Sequence, residues 1–394
     1  MLNRLIATIF SFIACFAVSA QDICIIKGNI ADSKLANGET IKKVFLTSTD
    51  EYGRQRTVAE AKVKKGTYTF KYKTQADAPV MLYTITGFEN GKGIELFVEP
   101  GTVAVNTTSA AAPCDSEVNG TPVNDLYNEY KKIDRNAEKM LTEEIEALAV
   151  EHGKKWLESK EGKQEIKRIK ATERIKREAD RIRFLIDNNA SPMTPLELER
   201  TVMPYTSDAY AEQMVKCISN KLQGHPYYQS FRNAMLARTM KVGNEVPDIA
   251  ITLGDGTVKR VKDFRGKFIL LDIWASNCEK SMKERAAVKE IYEVIKKQQE
   301  TFVVISLSVD SDKVAWSNAL KENAIDATQW VQGIAPIGIE SPNVKLLGVK
   351  TTPRMMLIDP EGRLISQDVK SDEALMRVEQ ILEGDLYYLD QSKE

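Results

Sequence analysis

The stretch KFILLDIWASNCEKSMK, residues 267–283, decides the fold of the C-terminal part of this chain. It opens with a continuous apolar run and then changes to a helical pattern of apolar and charged residues. A short apolar run that ends in a turn is typical of a strand buried on both faces. Cys278 therefore lies where a buried strand passes into the N-terminus of a helix. Free backbone N–H groups and the helix dipole lower the pKa of a thiol there, and the thiolate is the reactive form.

A second landmark follows further along the chain. Residues 348–354 read GVKTTPR and precede an apolar strand pattern, Met355 to Ile358, which ends at a turn. Together the two landmarks resemble the thioredoxin superfamily, and in particular the envelope thiol-disulfide oxidoreductases of the TlpA, ResA and AhpC/TSA type. The resemblance covers residues 242–389. It implies a thioredoxin fold in which a cis proline, Pro353, faces the reactive cysteine.

The active-site string departs from the family pattern W-A-x-W-C-x-x-C at two positions, since residues 274–281 read WASNCEKS. Asn277 replaces the tryptophan before the cysteine, and Ser281 replaces the second, resolving cysteine. Cys278 is then the candidate nucleophile, but serine cannot form the second disulfide, so an external thiol must release the mixed disulfide. Ser281 either donates a hydrogen bond to the thiolate or is a simple isosteric replacement, and the sequence leaves both open.

The resemblance supplies the other candidate site residues. Asp272, on the strand before Cys278, corresponds to a buried aspartate that relays protons in thioredoxins. A carboxyl group hydrogen-bonded at the strand end is the alternative, and burial would raise its pKa. Trp274 is expected to pack beneath the active-site loop and to contribute to substrate binding. Thr352 and Pro353 are expected to bind an extended substrate segment through the backbone of Thr352.

The cysteine and histidine pattern predicts no metal and no cofactor, because no cysteine spacing fits a metal site and the two histidines, His152 and His225, are isolated. Two alternatives remain for Cys24 and Cys114, which bracket one predicted domain. Either they form a disulfide, which export would permit, or each is a buried small apolar residue.

The N-terminus predicts a secretory signal peptide over residues 1–20. Arg4 precedes an almost wholly apolar run, and Ala20 ends a small-residue cleavage site. The expected location is the periplasm or cell envelope. Attachment to a membrane is expected only if the chain is lipidated at Cys15.

The 394 residues indicate two or three domains. Residues 22–112 contain short strand patterns, with a hairpin turn at Lys64-Lys65-Gly66, and predict a small β-sandwich or open barrel. Their pattern, including the ending FVEPG at residues 97–101, resembles a domain of unknown function found ahead of thioredoxin-like domains. Residues 121–240 predict a helical region with one long helix over 154–187. The expected class is α/β multidomain, with the thioredoxin fold at 242–389.

The resemblance implies an exported protein that acts on protein thiols or disulfides of exported clients through Cys278, with an external thiol reductant. A redox-inactive envelope binding or scaffold protein is the first alternative. A peroxiredoxin-like peroxidase is a minor one, because its pattern P-x-x-x-T-x-x-C would need proline and threonine at Leu271 and Ala275. The net charge of −1 gives no indication of nucleic-acid binding.

Overall fold

The computed structural model describes residues 23–35, 37–50, 54–75, 77–88, 93–298, 300–322, 330–335 and 337–385. The predicted signal peptide with Cys15, and the predicted end of the last domain at residue 389, lie outside these ranges. The chain forms two compact units, one within Met1–Ser48 and Thr57–Glu129 and one within Thr49–Arg56 and Tyr130–Glu394. Across the part of the chain described, no helix is both long enough and apolar enough to cross a membrane.

The first unit contains two four-stranded sheets. The strands are β1 (Ile23–Asp32), β2 (Lys43–Thr49), β3 (Gln55–Lys62), β4 (Thr67–Lys73), β5 (Met81–Thr86), β6 (Ile94–Val98), β7 (Gly101–Ser109) and β8 (Glu117–Asn119). One sheet has the order β4-β1-β7-β8 and the other β3-β2-β5-β6. Side chains from both sheets, such as Ile26 and Phe70 from one and Leu46 and Leu96 from the other, share a single core. This arrangement agrees with the sandwich that the sequence predicted.

The prediction of a hairpin around Lys64-Lys65-Gly66 was right about the turn and wrong about the pairing of the strands. The turn exists, with positive φ at Lys65 and Gly66, but the strands before and after it belong to different sheets. The reason is a backbone hydrogen bond from the N–H of Ile30 to the carbonyl oxygen of Gly66 (2.7 Å). This bond leads the chain to the edge of β1, so β4 pairs with β1. The turn therefore connects two sheets.

The first unit also fixes the start of helix α1 (Pro122–His152). The Asn124 side chain accepts from the N–H of Phe97 (2.8 Å) and donates to the carbonyl oxygen of the same residue (2.7 Å). A carboxylate oxygen of Glu99 accepts from the N–H of Val123 (2.8 Å). The residues FVEPG that mark the end of β6 thus also satisfy backbone donors that the first turn of a helix leaves free.

The second unit contains the remaining helices that precede the last domain. They are α2 (Lys154–Leu157), α3 (Lys160–Asp187), α4 (Met193–Glu197), α5 (Asp208–Cys217) and α6 (Pro226–Arg238). The prediction of a single helix over 154–187 was wrong, because the helix is interrupted between α2 and α3. Ser159 caps the new helix by accepting from the N–H of Gly162 (3.0 Å). A Cβ on Gly162 would lie 2.1 Å from the carbonyl oxygen of Trp156, so the break also needs a glycine.

A seven-stranded sheet forms the centre of the second unit. Its strands are β9 (Ala250–Leu253), β10 (Val258–Arg260), β11 (Phe268–Trp274), β12 (Phe302–Ser308), β13 (Val331–Ile334), β14 (Arg354–Ile358) and β15 (Leu364–Gln367), in the order β10-β9-β13-β12-β11-β14-β15. The accompanying helices are α7 (Glu279–Ile295), α8 (Lys313–Glu322), α9 (Pro342–Leu346) and α10 (Ser371–Leu382). Residues 323–329, which precede β13, lie outside the described ranges.

Strand β11 is buried along its whole length. On one face, Phe268 and Leu270 share a core with side chains of α7 and α10. On the other face, Ile269, Leu271 and Ile273 join a second core that includes α9. Side chains alternate between the faces of a strand, so an uninterrupted apolar run is what a central, doubly covered strand requires. The sheet thus holds the end of β11 rigidly, directly before Cys278.

Candidate active site

Cys278 lies at the start of α7, as the sequence predicted. It is the N-cap residue of that helix, and its side chain is partly exposed. Its N–H donates to the carbonyl oxygen of Ala275 (3.2 Å), which closes a tight turn between β11 and the helix. The thiol donates to the carbonyl oxygen of Thr352 (Sγ to O, 3.4 Å). The nucleophile is therefore held between a helix N-terminus and the segment that contains Pro353.

The surroundings of Cys278 lower its pKa to about 7. The largest cause is a hydrogen bond from the Ser281 hydroxyl, followed by the backbone N–H of the same residue. Partial burial opposes the effect, and Thr352 and the N–H of Lys280 add to it. A thiol with this pKa is about half ionised at neutral pH, whereas an ordinary thiol is ionised to only a few per cent. The site therefore holds a nucleophilic thiolate without needing a base.

Ser281 stands three residues after Cys278 and is 1% exposed. Its hydroxyl oxygen accepts from the N–H of Ala275 at 3.4 Å. The residue therefore lies between the active-site loop and the cysteine, in the place where the related string has a resolving thiol. Of the two alternatives from the sequence, the geometry favours a hydrogen-bonding serine that stabilises the thiolate.

The Thr352–Pro353 peptide bond is cis, as the family resemblance implied. Thr352 contacts Cys278, so the structure brings these two candidate residues together. Trp274 is fully buried and packs with Trp316 and Ile334, with Met282 of α7 at the edge of the cluster. It therefore lies in the core at the end of β11 and has no exposed surface in this structure, which leaves it a packing role and no direct contact with a substrate.

The side chain of Asp272 contacts Arg285 of α7 and Ser306 of β12. It is 2% exposed, and one carboxylate oxygen accepts from Arg285 (2.5 Å) and from the hydroxyl of Ser306 (2.7 Å). Burial raises the pKa of Asp272, and the Arg285 guanidinium opposes that rise. The alternative of a hydrogen-bonded carboxyl is therefore closer to the structure than a proton relay to residue 281. The guanidinium also lies over the rings of Trp274 and Trp330, 4.2 and 5.0 Å from their centroids.

Sequence reasoning missed two charged residues of this region, Arg285 and Asp310. Arg285 is on α7, one turn after Ser281, and would have been found by following the helix face that meets β11. Asp310 follows β12 and accepts hydrogen bonds from Ser276 in the active-site loop. The ends of β11 and β12 meet at the same edge of the sheet because the strands are parallel. A polar residue just beyond β12 was the signal for it.

The other described cysteines are free thiols. The disulfide alternative for Cys24 and Cys114 is therefore not found. Cys24 is fully buried, and burial raises its pKa to about 11, so it behaves as a small apolar residue. Cys114 and Cys217 are exposed. Within the described ranges, no group of three or more His, Cys, Asp or Glu side chains is placed to hold a metal ion.

Comparisons with known proteins agree with this fold. Residues 266–364 match the thioredoxin-like family, and residues 24–127 match a domain of unknown function, DUF4369. Over 145 residues the chain is 28% identical to the thiol-disulfide oxidoreductase ResA of Bacillus thuringiensis subsp. konkukian, covering 36% of this chain and 78% of that protein. The ResA of Geobacillus kaustophilus is 32% identical over 75 residues, which are 19% of this chain and 42% of that protein.

Among solved structures, a thiol-disulfide oxidoreductase from Bacteroides fragilis is 24% identical, covering 35% of this chain and 99% of that one with a TM-score of 0.33. The family matches confirm two expectations from the sequence: a thioredoxin-like domain in the C-terminal part and a domain of unknown function ahead of it.

Proposed function

We propose that this chain, whose C-terminal domain is thioredoxin-like and related to thiol-disulfide oxidoreductases, acts on protein thiols and disulfides through the single cysteine Cys278. The observation that carries the proposal is the environment of that thiol. Cys278 lies at a helix N-terminus, contacts Thr352 of the cis-proline segment, and has a pKa lowered to about 7. The reactive form is therefore present at neutral pH.

The chemistry follows from the residue at position 281. The Cys278 thiolate attacks a client disulfide, forms a mixed disulfide with one client sulfur and releases the other as a thiolate. Ser281 has no thiol with which to displace the client. In isomerisation, a client thiolate attacks the mixed disulfide, forms a new client disulfide and returns Cys278 to its thiolate. In reduction, two external thiols take part: the first displaces the client, and the second restores Cys278 while both are oxidised to a disulfide.

Export remains part of the proposal. Residues 1–20 carry the expected signal peptide, and disulfide exchange on secreted clients needs an oxidising compartment outside the cytosol. The proposed location is the periplasm or envelope, and lipidation at Cys15 would be the route to membrane attachment. The partners are the thiols or disulfides of exported clients and an external thiol reductant.

Refolding of scrambled ribonuclease tests this function. The wild-type chain is expected to form mixed disulfides with it and to restore ribonuclease activity in the presence of reduced glutathione. Cys278→Ser should abolish both, whereas Cys217→Ser, which removes an exposed thiol far from the site in sequence, should change neither. Unchanged adducts and unchanged ribonuclease recovery with Cys278→Ser would refute the proposal.

A Ser281→Cys variant tests the role of the second position. A thiol there supplies the internal displacement step, so fewer mixed disulfides should accumulate and insulin disulfides should be reduced faster. Because the Ser281 side chain is buried against the loop, the substitution must fit a space of almost the same size. No change in adduct lifetime would show that residue 281 does not govern release.

The alternative of a redox-inactive binding protein has one observation in its favour. Ser281 accepts a hydrogen bond from the N–H of Ala275 and can be explained as a packing residue alone. That function requires Cys278 to behave as an ordinary thiol, with an alkylation midpoint at or above about 8.5. The midpoint therefore separates the two functions before any client is known.

A further inference from the structure

The active-site loop is attached to the sheet by one carboxylate, that of Asp310. This residue is 6% exposed. Its two oxygens accept from the backbone N–H of Ser276 (3.0 and 3.1 Å), and one of them also accepts from the Ser276 hydroxyl (2.9 Å). The other accepts from the Ser308 hydroxyl (2.6 Å), whose oxygen in turn accepts from the N–H of Asp310 (3.0 Å). Hydrogen bonds to a charged acceptor are roughly twice as strong as those between neutral groups.

The sheet places Asp310 beside the loop. Strands β11 and β12 are parallel and in register up to Trp274 and Ser308, so their carboxyl ends lie together. The N–H of Val309 donates to the carbonyl oxygen of Trp274 (2.8 Å), which continues the pairing one step beyond the strands. Asp310 is the next residue, and it meets the loop where the strand ends.

The residue that Asp310 bonds, Ser276, lies two positions before Cys278 in the active-site loop. Ala275 and Cys278 close the turn through one backbone hydrogen bond. Ser276, which bonds Asp310, lies inside this turn. Beyond the turn, the N–H of Met282 donates to the carbonyl oxygen of Cys278 (3.0 Å) and begins α7. The turn is thus held on one side by the helix and on the other by Asp310.

We propose that Asp310 is a positioning residue for the nucleophile, because its bonds to Ser276 hold the turn that sets Cys278 Sγ against Ser281 and Thr352. Without the carboxylate, the turn keeps the Cys278–Ala275 backbone hydrogen bond (3.2 Å) and the longer bond from Ala275 to the Ser281 hydroxyl (3.4 Å). The sulfur then loses its alignment with the donors that stabilise the thiolate. The inference deepens the proposed function, since it concerns the reactivity of the same thiol.

Because Asp310 is charged, the direction in which its removal shifts the pKa of Cys278 distinguishes two explanations. If its negative charge acted on the thiol only through space, its removal would stabilise the thiolate and lower the pKa of Cys278. Release of the turn acts in the opposite direction and raises that pKa. Every variant keeps the other charged residues near the thiol. These are Glu279 and Lys280 at the helix start, and Lys350 on the segment with Thr352.

The test is the pH dependence of iodoacetamide alkylation at Cys278, followed by mass spectrometry of its tryptic peptide in the full chain. The wild-type midpoint is expected at about 7. Asp310→Ala should raise it toward the ordinary value of about 8.5, which lowers the rate at pH 7 about 15-fold. Asp310→Asn keeps an acceptor oxygen and should restore most of the rate. Asp312→Ala, on the same segment but bonded to the start of α8, should leave the midpoint unchanged.

An unchanged or lowered midpoint in Asp310→Ala overturns the inference, and so does a failure of Asp310→Asn to restore the rate. Circular dichroism checks that the variants are folded. If Asp310→Ala does not fold, Ser308→Ala keeps the carboxylate but removes the hydroxyl that donates to it (2.6 Å) and accepts from the N–H of Asp310 (3.0 Å), and it must raise the midpoint in the same direction. An ordinary midpoint in the wild-type chain would instead refute the proposed function, so the two failures are distinguishable.

Discussion

Substitution of Arg285 by methionine should destabilise the chain strongly. Arg285 is 2% exposed and bonds the buried Asp272 carboxylate, while its guanidinium lies over the rings of Trp274 and Trp330. Methionine fills much of the same volume but leaves the carboxylate with only the Ser306 hydroxyl. Removal of one partner of a buried ion pair costs about 3–5 kcal/mol in the free energy of unfolding.

The pH dependence of that loss has a definite sign. Burial raises the pKa of Asp272, and without Arg285 nothing charged opposes the rise. The folded variant then binds a proton at a higher pH than the unfolded chain does, whose aspartates titrate near 3.9. The loss is complete above the folded-state pKa. It shrinks as the pH falls through that pKa toward the unfolded value, so the variant should differ less from wild type at pH 5 than at pH 7.

Urea unfolding followed by tryptophan fluorescence measures both effects, because two of the four tryptophans contact Arg285. A loss of 3–5 kcal/mol corresponds to a fall of about 2 M in the urea midpoint. The matched control is Arg285→Met combined with Asp272→Leu, which removes both charges and should remain within about 1 kcal/mol of wild type. A loss below about 1 kcal/mol in the single variant, or an equal loss in the double variant, would contradict the reasoning.

Three further substitutions have defined outcomes. Ser281→Ala should raise the pKa of Cys278 from about 7 to about 8, because one hydrogen bond to a partly exposed thiolate is lost, and alkylation at pH 7 should slow about fivefold; an unchanged rate would exclude the hydroxyl as a cause. Asn124→Ala removes the two hydrogen bonds that its side chain makes to the backbone of Phe97 in β6 and should cost about 2 kcal/mol in unfolding free energy, measured by circular dichroism in urea. Gly28→Ala places a Cβ 1.9 Å from the Tyr68 ring, so the ring must move, and calorimetry should show a lower melting temperature; an unchanged one would mean that Tyr68 moves at no cost.

The nucleophile followed from local pattern, and the role of its partner segment followed from the family resemblance. Cys278 follows an apolar run at a helix start, and Pro353 precedes another apolar run, so neither depends on knowing which strands are neighbours. The cis peptide bond at Pro353 is confirmed. The domain boundaries at 112, 121, 240 and 242 stay predictions, as does the signal peptide.

Residues that depend on strand order could not be found in the same way. Asp310 reaches the loop only because β12 lies parallel to β11, and Arg285 pairs with Asp272 only because α7 covers that face of the sheet. The failed hairpin has the same cause. The turn at Lys65 and Gly66 was visible in the residues, but the choice of partner strand depended on a bond to distant Ile30.

The connectivity of the sheet also determines when, during synthesis, Cys278 gains its contacts. Asp272 meets Ser306 across 34 residues of chain, and Cys278 meets Thr352 across 74. Contacts of long sequence separation form late, after the intervening chain is available. Until then Cys278 has no Thr352 beside it and no packed sheet beneath its turn, so the contribution of Thr352 to its lowered pKa is absent. The thiol thus gains its complete set of stabilising contacts only when the final strands close the domain.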